Sequence, residues 1–228
     1  MKVKHHKSIH CILSIFIIVT ASVGSWQTIF RANTSGANDL LYFTIQCNIW
    51  IALIHSYFLV AEWLEEKKSV FEIKNCMRTL KYVLTVSISI TFIVFFILLV
   101  PDLGWAVVEL PGSMPTHFWA PVAAIIDYIY FERKHRVHKK MPLYAIVPPL
   151  IYFVVTIILS LNGVTYVDNE PVPYFFLNFH EFGWFRIENG ELGVFYWVLI
   201  ILGLILGIGY SLLKLNQSTR EKKNNQCR

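Results

Sequence analysis

Long apolar stretches alternate with short polar segments along the whole chain, and this pattern predicts a bundle of membrane-spanning helices. Six apolar stretches lie at about 9–30, 40–61, 80–100, 117–131, 143–161 and 192–213. Most reach the roughly 20 residues that an α-helix needs to cross about 30 Å of hydrocarbon. We therefore expect an all-α polytopic membrane protein, with a single six-span domain over residues 1–228.

The distribution of positive charge predicts the orientation of these spans. All Lys and Arg residues except Arg31 and Arg186 fall in four segments, at 2–7, 67–81, 133–140 and 214–228. Pairs of apolar stretches separate these segments, so all four can lie on one side of a membrane. Because Lys and Arg are retained in the cytoplasm during insertion, we expect a multi-pass protein of the cell membrane with both termini cytoplasmic and three loops outside.

The first apolar stretch also has a second interpretation. Basic residues at 2–7 followed by apolar residues at 9–23 are typical of a secretory signal, and Ala21 and Ser22 are small enough for a cleavage site. The apolar run continues through Phe30, which is longer than a usual signal core and favours a retained span. The predicted loop orientations are the same in both cases.

Composition agrees with a membrane protein. Hydrophobic residues make up 55% of the chain, and the mean hydropathy is +0.52. Little polar surface is left for a soluble globule. The pI of about 9.0 is explained by the basic segments that we predict to be cytoplasmic, so we expect lipid, and not nucleic acid, as the partner. The four cysteines have no CxxC spacing, so we predict neither a zinc site nor a disulfide. We expect no metal and no cofactor.

Polar side chains at membrane depth are costly, and they are the first candidates for a functional site. In the second and fourth stretches they are Thr44, Gln46, Asn48, His55, His117 and Asp127. Helical spacing places Thr44, Asn48 and His55 on one face, whereas Gln46 points away from it by about 200°.

The predicted depths in the membrane place a hydroxyl group and an imidazole at the same level. Asp39 marks the outer end of the second stretch, which places Thr44 about one turn below the outer surface. Counting about 20 residues outward from Arg133, at the inner end of the fourth stretch, places His117 at a similar depth. These two side chains are therefore the candidate outer site.

His55 and Asp127 lie about 15 Å deeper and form a predicted inner polar layer. Asp127 is expected to pair with Arg133 or Lys134 if its role is structural. An ionisable path through the inner layer would instead indicate a proton channel or a small-solute transporter. A non-catalytic membrane scaffold is a third alternative.

Two stretches of sequence resemble a known family. The sequence YFTIQCN at 42–48 and the spacing His117-x-x-x-Pro121-x-x-x-x-x-Asp127 are similar to the androgen-induced and androgen-dependent six-span membrane proteins and their prokaryotic relatives. The sequence VPYFFLN at 172–178 is similar to a Pro-Tyr-Pro-Phe-Leu-Asp stretch of bacterial relatives, but here Phe175 and Asn178 replace the second Pro and the Asp.

The resemblance implies an intramembrane threonine hydrolase of fatty acid esters of hydroxy fatty acids, with Thr44 as nucleophile and His117 as base. This chemistry is coherent, because a Thr hydroxyl needs an adjacent base and neutral imidazole can serve as one. We predict that Asn48 donates to the developing oxyanion and that Gln46 gives further polar support. The residue that orients His117 is not evident from the sequence.

Two further features concern partners and substrate entry. Aromatic residues are dense in the outer connection at 162–191, which favours an interfacial belt over a lid across the site. Gly203 and Gly207 form a small-xxx-small face, which predicts close helix packing within the bundle or in a homodimer. The expected substrate is a membrane lipid ester that enters from the bilayer.

Overall fold

The computed structural model describes residues 2–30, 38–67, 72–132, 135–138, 140–188 and 190–226. In chain order the helices are α1 (Lys2–Ile29), α2 (Phe43–Lys67), α3 (Asn75–Val94), α4 (Val100–Leu103), α5 (Ala106–Glu109), α6 (Ala120–Tyr130), α7 (Met141–Tyr144), α8 (Val147–Leu161), α9 (Phe179–Phe182) and α10 (Val194–Gln226). A π-helical turn at Phe95–Leu99 joins α3 to α4, and a second at Pro115–Trp119 leads into α6. Short 3₁₀ turns lie at Asn38–Leu41, Val167–Asn169 and Phe175–Leu177.

One small hairpin lies outside the helices. Strands β1 (Ile187–Glu188) and β2 (Glu191–Leu192) pair antiparallel, with Ile187 opposite Leu192. The expectation of an all-α protein is therefore correct apart from this hairpin in the outer connection.

Among the described residues, five helical segments are long and apolar enough to cross a membrane. They are Lys7–Ile29, Phe43–Lys67, Asn75–Leu103, Met141–Leu161 and Val194–Glu221. Each coincides with one of the apolar stretches in the sequence. Several apolar helices of this length fit an integral, multi-pass membrane protein.

The remaining predicted span, at 117–131, is shorter and is not one of these five. From Pro115 to Tyr130 the chain is helical, which at about 1.5 Å per residue gives a length of about 24 Å. This segment packs against α1, α3 and α10, and Ala120, Ala124 and Tyr128 are fully buried. It is therefore an inner helix of the bundle, and the prediction of six full-length spans is supported for five.

A close crossing sets the position of this inner helix against α1. A Cβ atom at Gly24 would lie 2.7 Å from Pro115 Cβ and 2.8 Å from Thr116 Cγ2. Gly112 has a φ of 84°, and a Cβ there would lie 2.5 Å from the Gly24 carbonyl oxygen. Only glycine allows this approach, which presses α1 against the second π-helical turn.

The predicted small-residue face of α10 is not a packing contact within the described part of the bundle. A Cβ at Gly203 or Gly207 would have no atom within 4 Å. The close approach is made by Gly209, where a Cβ would lie 2.7 Å from the Tyr82 hydroxyl. The expectation for packing inside the bundle is thus wrong at these two glycines, and their use in a homodimer stays a prediction.

Candidate functional site

A cavity of about 490 Å³ lies at the predicted outer end of the bundle. Residues from the start of α2, from both π-helical turns and from the connection between α8 and α10 line it. Thr44 and His117 both line this cavity. The sequence prediction that these two side chains share one site is therefore consistent with the structure.

Thr44 lies in the first turn of α2, with only 7% of its surface exposed. The Tyr174 hydroxyl group forms hydrogen bonds with the side chain and the backbone of Thr44. Burial raises the pKa of Tyr174 above its ordinary value, so its hydroxyl group stays protonated and able to donate. Thr44 is thus held beside a second hydroxyl group and beside the positive end of a long helix.

The backbone fixes the ring orientation of His117. His117 Nδ1 lies 3.0 Å from the Ser113 carbonyl oxygen and 3.1 Å from Thr116 Oγ1. Thr116 Oγ1 donates its own hydrogen to the Gly112 carbonyl oxygen, 2.7 Å away. Because a carbonyl can only accept, Nδ1 carries the ring hydrogen, which leaves Nε2 as the unprotonated nitrogen. The orienting group is therefore the Ser113 carbonyl, which a motif search cannot find.

Both π-helical turns contribute to the site. Phe95 starts the first turn and His117 lies in the second, and their rings stack with centroids 3.8 Å apart and planes 19° apart. A π-helical turn widens the local helix and shifts the side chains that follow it, and such turns are frequent at functional sites. The stacked Phe95 ring limits the positions that the imidazole can take.

Asn48 is close to the site, but its side-chain amide is hydrogen-bonded to backbone carbonyls. Its Nδ2 donates to the Thr44 carbonyl oxygen at 2.9 Å and to the Thr116 carbonyl oxygen at 3.1 Å. Both amide hydrogens are used, so none is available to the oxyanion that the sequence analysis assigned to Asn48. Asn48 instead joins the helix that carries Thr44 to the turn that carries His117.

Gln46 does not line the cavity. Its side-chain amide donates to the Leu40 carbonyl oxygen at 3.2 Å, on a part-exposed surface of α2. The helical spacing correctly placed this side chain away from Thr44. Its predicted role as polar support of the reaction is therefore not favoured by the geometry.

The aromatic outer connection covers the cavity in one part and is exposed in another. Tyr166 and Tyr174 are buried and line the cavity, whereas Trp184 and Phe185 are exposed. The earlier part of the connection therefore contributes to the wall of the cavity, and the interfacial belt stays a prediction.

The inner polar layer is a buried ion network. Lys81 Nζ lies 2.6 Å from Asp127 Oδ2, and His10 Nε2 lies 2.9 Å from Asp127 Oδ1. Arg78 and Glu132 form a second buried pair at 2.6 Å. The expected partners of Asp127, Arg133 and Lys134, lie outside the described residues.

His55 is fully buried on the inner side, and the charges of Lys81 and Asp127 act on it. Neither ring nitrogen of His55 has a hydrogen-bond partner among the described residues. That His55 and Asp127 belong to one inner layer stays a prediction. Lys81 was counted among the basic residues of the predicted cytoplasmic segment at 67–81, and His10 was not among the candidate polar residues.

A smaller apolar cavity of about 60 Å³ adjoins the first. Thr44, Leu99 and Tyr174 line both cavities, and Val94, Tyr152 and Ile201 line the smaller one. Thr44 therefore lies where a larger, partly polar space meets a narrow apolar one.

Comparison with known proteins leaves the family open, since no family model, curated protein or solved structure matches the chain. The resemblance of 42–48 and 117–127 to the androgen-induced family stays a prediction. The described residues contain no group of three or more His, Cys, Asp or Glu side chains that could hold a metal ion. Fold and site thus fit a multi-pass membrane protein with a partly polar cavity at one end of its bundle.

Proposed function

We propose that this protein is an intramembrane ester hydrolase that acts on a fatty acyl ester, with Thr44 as nucleophile and His117 as general base. The observation that carries the proposal is that both side chains line the same cavity. In addition, the hydrogen bond from His117 Nδ1 to the Ser113 carbonyl leaves Nε2 free to accept a proton. The resemblance to the androgen-induced family supports the same assignment.

The reaction follows the general sequence of acyl transfer. His117 Nε2 removes the proton from Thr44 Oγ1 as this oxygen attacks the acyl carbonyl carbon. The bond from acyl carbon to alcohol oxygen then breaks, and His117 returns its proton to the departing alcohol. Water, deprotonated by His117, attacks the acyl threonine and releases the fatty acid, which regenerates the Thr44 hydroxyl group.

The oxyanion is stabilised by groups other than Asn48. Thr44 lies in the first turn of α2, where the positive end of the helix dipole favours negative charge. The Tyr174 hydroxyl group is a donor beside Thr44. Preorganised donors of this kind give the largest single contribution in many acyl-transfer enzymes.

The shape of the site suits a lipid. The first carbons of an acyl chain would enter the small apolar cavity, while the ester group stays beside Thr44 and the alcohol part occupies the larger cavity. Helix α8 borders the apolar cavity through Pro149 and Tyr152, and its other residues are largely exposed. This helix is the side from which a bilayer lipid would reach the site.

The inner layer adds no support for a transporter. Asp127 already pairs with Lys81 and His10, which accounts for the burial of its carboxylate. The buried residues Cys47 and Ile51, between the two layers on α2, are apolar.

Labelling with a fluorophosphonate tests the proposal, since this probe phosphonylates activated hydroxyl groups. We expect wild-type protein and Thr44→Ser to be labelled and to hydrolyse fatty acyl esters, whereas Thr44→Ala and His117→Ala lose both activities. Thr20→Ala, a threonine of α1 outside the cavity, is the matched control and should behave as wild type. Equal labelling of all folded variants, or no labelling of folded wild-type protein, would overturn the proposal. Proton flux in liposomes that is lost in Asp127→Asn and kept in Thr44→Ala would favour the transporter.

A further inference from the structure

Helix α1 carries neither candidate catalytic side chain, but it lies directly against the chain that leads into His117. Gly24 of α1 is buried, and a Cβ atom there would lie 2.8 Å from Thr116 Cγ2 and 3.2 Å from Thr116 N. A side chain at position 24 would therefore displace Thr116, which directly precedes His117. The contact on the α1 side is as close as two backbones allow.

The same helix also contacts the beginning of this segment. A Cβ atom at Gly112 would lie 2.5 Å from the Gly24 carbonyl oxygen and 2.5 Å from Thr28 Oγ1. Thr28 Oγ1 donates to the Gly24 carbonyl oxygen at 2.9 Å, which fixes the two atoms relative to each other. The Gly112 carbonyl oxygen in turn accepts hydrogen bonds from Thr116 N at 3.1 Å and from Thr116 Oγ1 at 2.7 Å. Helix α1 thus contacts both ends of the hydrogen-bonded segment 112–116.

The two groups that contact Nδ1 of His117 belong to segment 112–116. His117 Nδ1 donates to the Ser113 carbonyl oxygen at 3.0 Å and lies 3.1 Å from Thr116 Oγ1. Hydrogen bonds weaken steeply when distance and angle depart from the optimum. A displacement of the segment would therefore weaken the interactions that keep the ring hydrogen on Nδ1 and leave Nε2 unprotonated.

Thr116 is also enclosed on the side away from α1. It is fully buried, and its carbonyl oxygen accepts the 3.1 Å hydrogen bond from Asn48 of α2. The next residue, His117, stacks on the Phe95 ring at 3.8 Å between centroids. Close-packed surroundings of this kind transmit a displacement to their neighbours. Crowding from α1 would thus change the contacts of His117.

We propose that Gly24 is a positioning residue for the candidate site. By admitting segment 112–116 close to α1, Gly24 keeps the His117 hydrogen on Nδ1 and leaves Nε2 able to accept a proton. Gly24 itself contacts no substrate and acts through Thr116 and the Ser113 carbonyl. The consequence for catalysis rests on the proposed function, whereas the position of the ring hydrogen does not.

Nitrogen NMR of protein labelled with 15N-histidine, in nanodiscs, measures the position of the ring hydrogen directly. A ring nitrogen that carries hydrogen and one that does not resonate in separate ranges, and at about pH 8 an ordinary imidazole is neutral. The signals that are missing in His117→Gln identify His117. We expect the Nδ1–H form in wild-type protein. In Gly24→Ala we expect the share of this form to fall about twofold or more, because the bonds to Nδ1 weaken.

Kinetics gives the second readout of the same variant. With a fatty acyl ester as substrate, kcat of Gly24→Ala should fall about tenfold, because a misplaced base slows the chemical step. KM should stay within about twofold of the wild-type value, because Gly24 contributes no contact to the substrate.

Two glycines of α10 are matched controls for adding a methyl group to a helix. A Cβ at Gly209 would lie 2.7 Å from the Tyr82 hydroxyl group, a contact as close as that at Gly24, and Gly209 does not line the cavity. Gly209→Ala should lower the melting temperature and leave the His117 signals unchanged. A Cβ at Gly203 would have no atom within 4 Å, so Gly203→Ala should change neither the melting temperature by much nor His117.

A milder variant covers the case in which Gly24→Ala does not fold. Thr116→Ser adds no atom, keeps the hydroxyl group and removes the methyl group that faces Gly24. The contact with α1 becomes looser, so the His117 signals should change in the same direction as in Gly24→Ala and by a smaller amount.

The outcomes separate this inference from the hydrolase. An Nε2–H ring in folded wild-type protein, or unchanged His117 signals in the folded Gly24 and Thr116 variants, would overturn the positioning role and leave any hydrolysis unaffected. An equal change in Gly209→Ala would also overturn it, because general loss of stability would then be the cause. If the ring responds to Gly24→Ala but wild-type protein hydrolyses no ester, the hydrolase is overturned and the positioning role is supported.

Discussion

The amide nitrogen of Asn48 donates a hydrogen bond to the Thr116 carbonyl oxygen, 3.1 Å away. This bond crosses from α2 to the second π-helical turn, and the same nitrogen also contacts the Thr44 carbonyl oxygen at 2.9 Å. The relative position of Thr44 and His117 therefore depends on one buried side chain that reaches neither the cavity nor a substrate.

Replacing Asn48 should impair both stability and catalysis. We expect Asn48→Ala to lower the free energy of unfolding by about 1–3 kcal/mol, because the buried Thr116 carbonyl loses the Asn48 donor that links α2 to the second π-helical turn. The value of kcat should fall as well, because the two side chains lose their fixed separation. Denaturant unfolding and ester hydrolysis measure these effects. Gln46→Ala is the control, and its free energy of unfolding should lie within about 0.5 kcal/mol of the wild-type value. Full stability and activity in Asn48→Ala would contradict the role of this link.

Removing one hydroxyl group tests Tyr174. Tyr174→Phe keeps the stacked contact with Phe176, 5.3 Å between centroids, but loses the hydrogen bonds to Thr44. We expect kcat to fall about 100-fold, as for other lost oxyanion donors, with a stability change of about 1 kcal/mol. Steady-state kinetics would show this, with the exposed Tyr57→Phe as control. An unchanged kcat would remove Tyr174 from the reaction.

Because Lys81 and Asp127 form a buried ion pair, we predict that removing one charge destabilises the protein more than removing both. Asp127→Ala leaves the Lys81 ammonium group buried without its 2.6 Å partner, and should destabilise the protein by about 3–5 kcal/mol. The double variant Lys81→Met, Asp127→Leu should recover much of that loss, because both charges are removed together. Thermal unfolding in detergent compares them. The exposed ion pair of Arg186 and Glu188 gives a control. Glu188→Gln should lower the free energy of unfolding by at most about 1 kcal/mol. A double variant less stable than Asp127→Ala would contradict this prediction.

His135 lies in the loop between α6 and α7, and we predict that its titration makes the stability of the protein depend on pH. Burial and then the charges of Arg78 and Arg220 lower the pKa of His135 from 6.5 to about 4. Below pH 6.5 the unfolded chain takes up a proton that the folded protein does not, so stability decreases as pH falls from 6.5 towards 4. His135→Gln should show a shallower decrease in melting temperature over this range. The exposed His138→Gln should keep the wild-type slope, and an unchanged slope in His135→Gln would rule out this cause.

The sequence predicted those features of the site that depend on helical geometry. Periodicity and charged ends placed Thr44 and His117 at one depth, and spacing separated Gln46 from Thr44. The positive-inside rule explains why Lys81 was not recognised, since a lysine near the end of a span counts as a topology marker whether or not its charge is buried.

Other features depend on tertiary contacts that spacing does not encode. Tyr174 comes from a loop 130 residues after Thr44 and reaches it through the packing of the outer connection. The Ser113 carbonyl is a backbone group, and its bond to His117 depends on the local geometry of a π-helical turn. Gly203 and Gly209 belong to the same helix, and only the packing of α10 distinguishes the glycine in contact with Tyr82 from the one without a neighbour.

Peptide mapping by mass spectrometry of the fluorophosphonate adduct tests the nucleophile most directly. Thr44 and Ser113 are among the hydroxyl-bearing side chains that line the cavity together with His117, and the probe records which hydroxyl group is activated. We predict that the phosphonyl group is attached to Thr44 and that His117→Ala abolishes the adduct. An adduct on Ser113, or one that persists in Thr44→Ala, would contradict the assignment of Thr44 as the nucleophile.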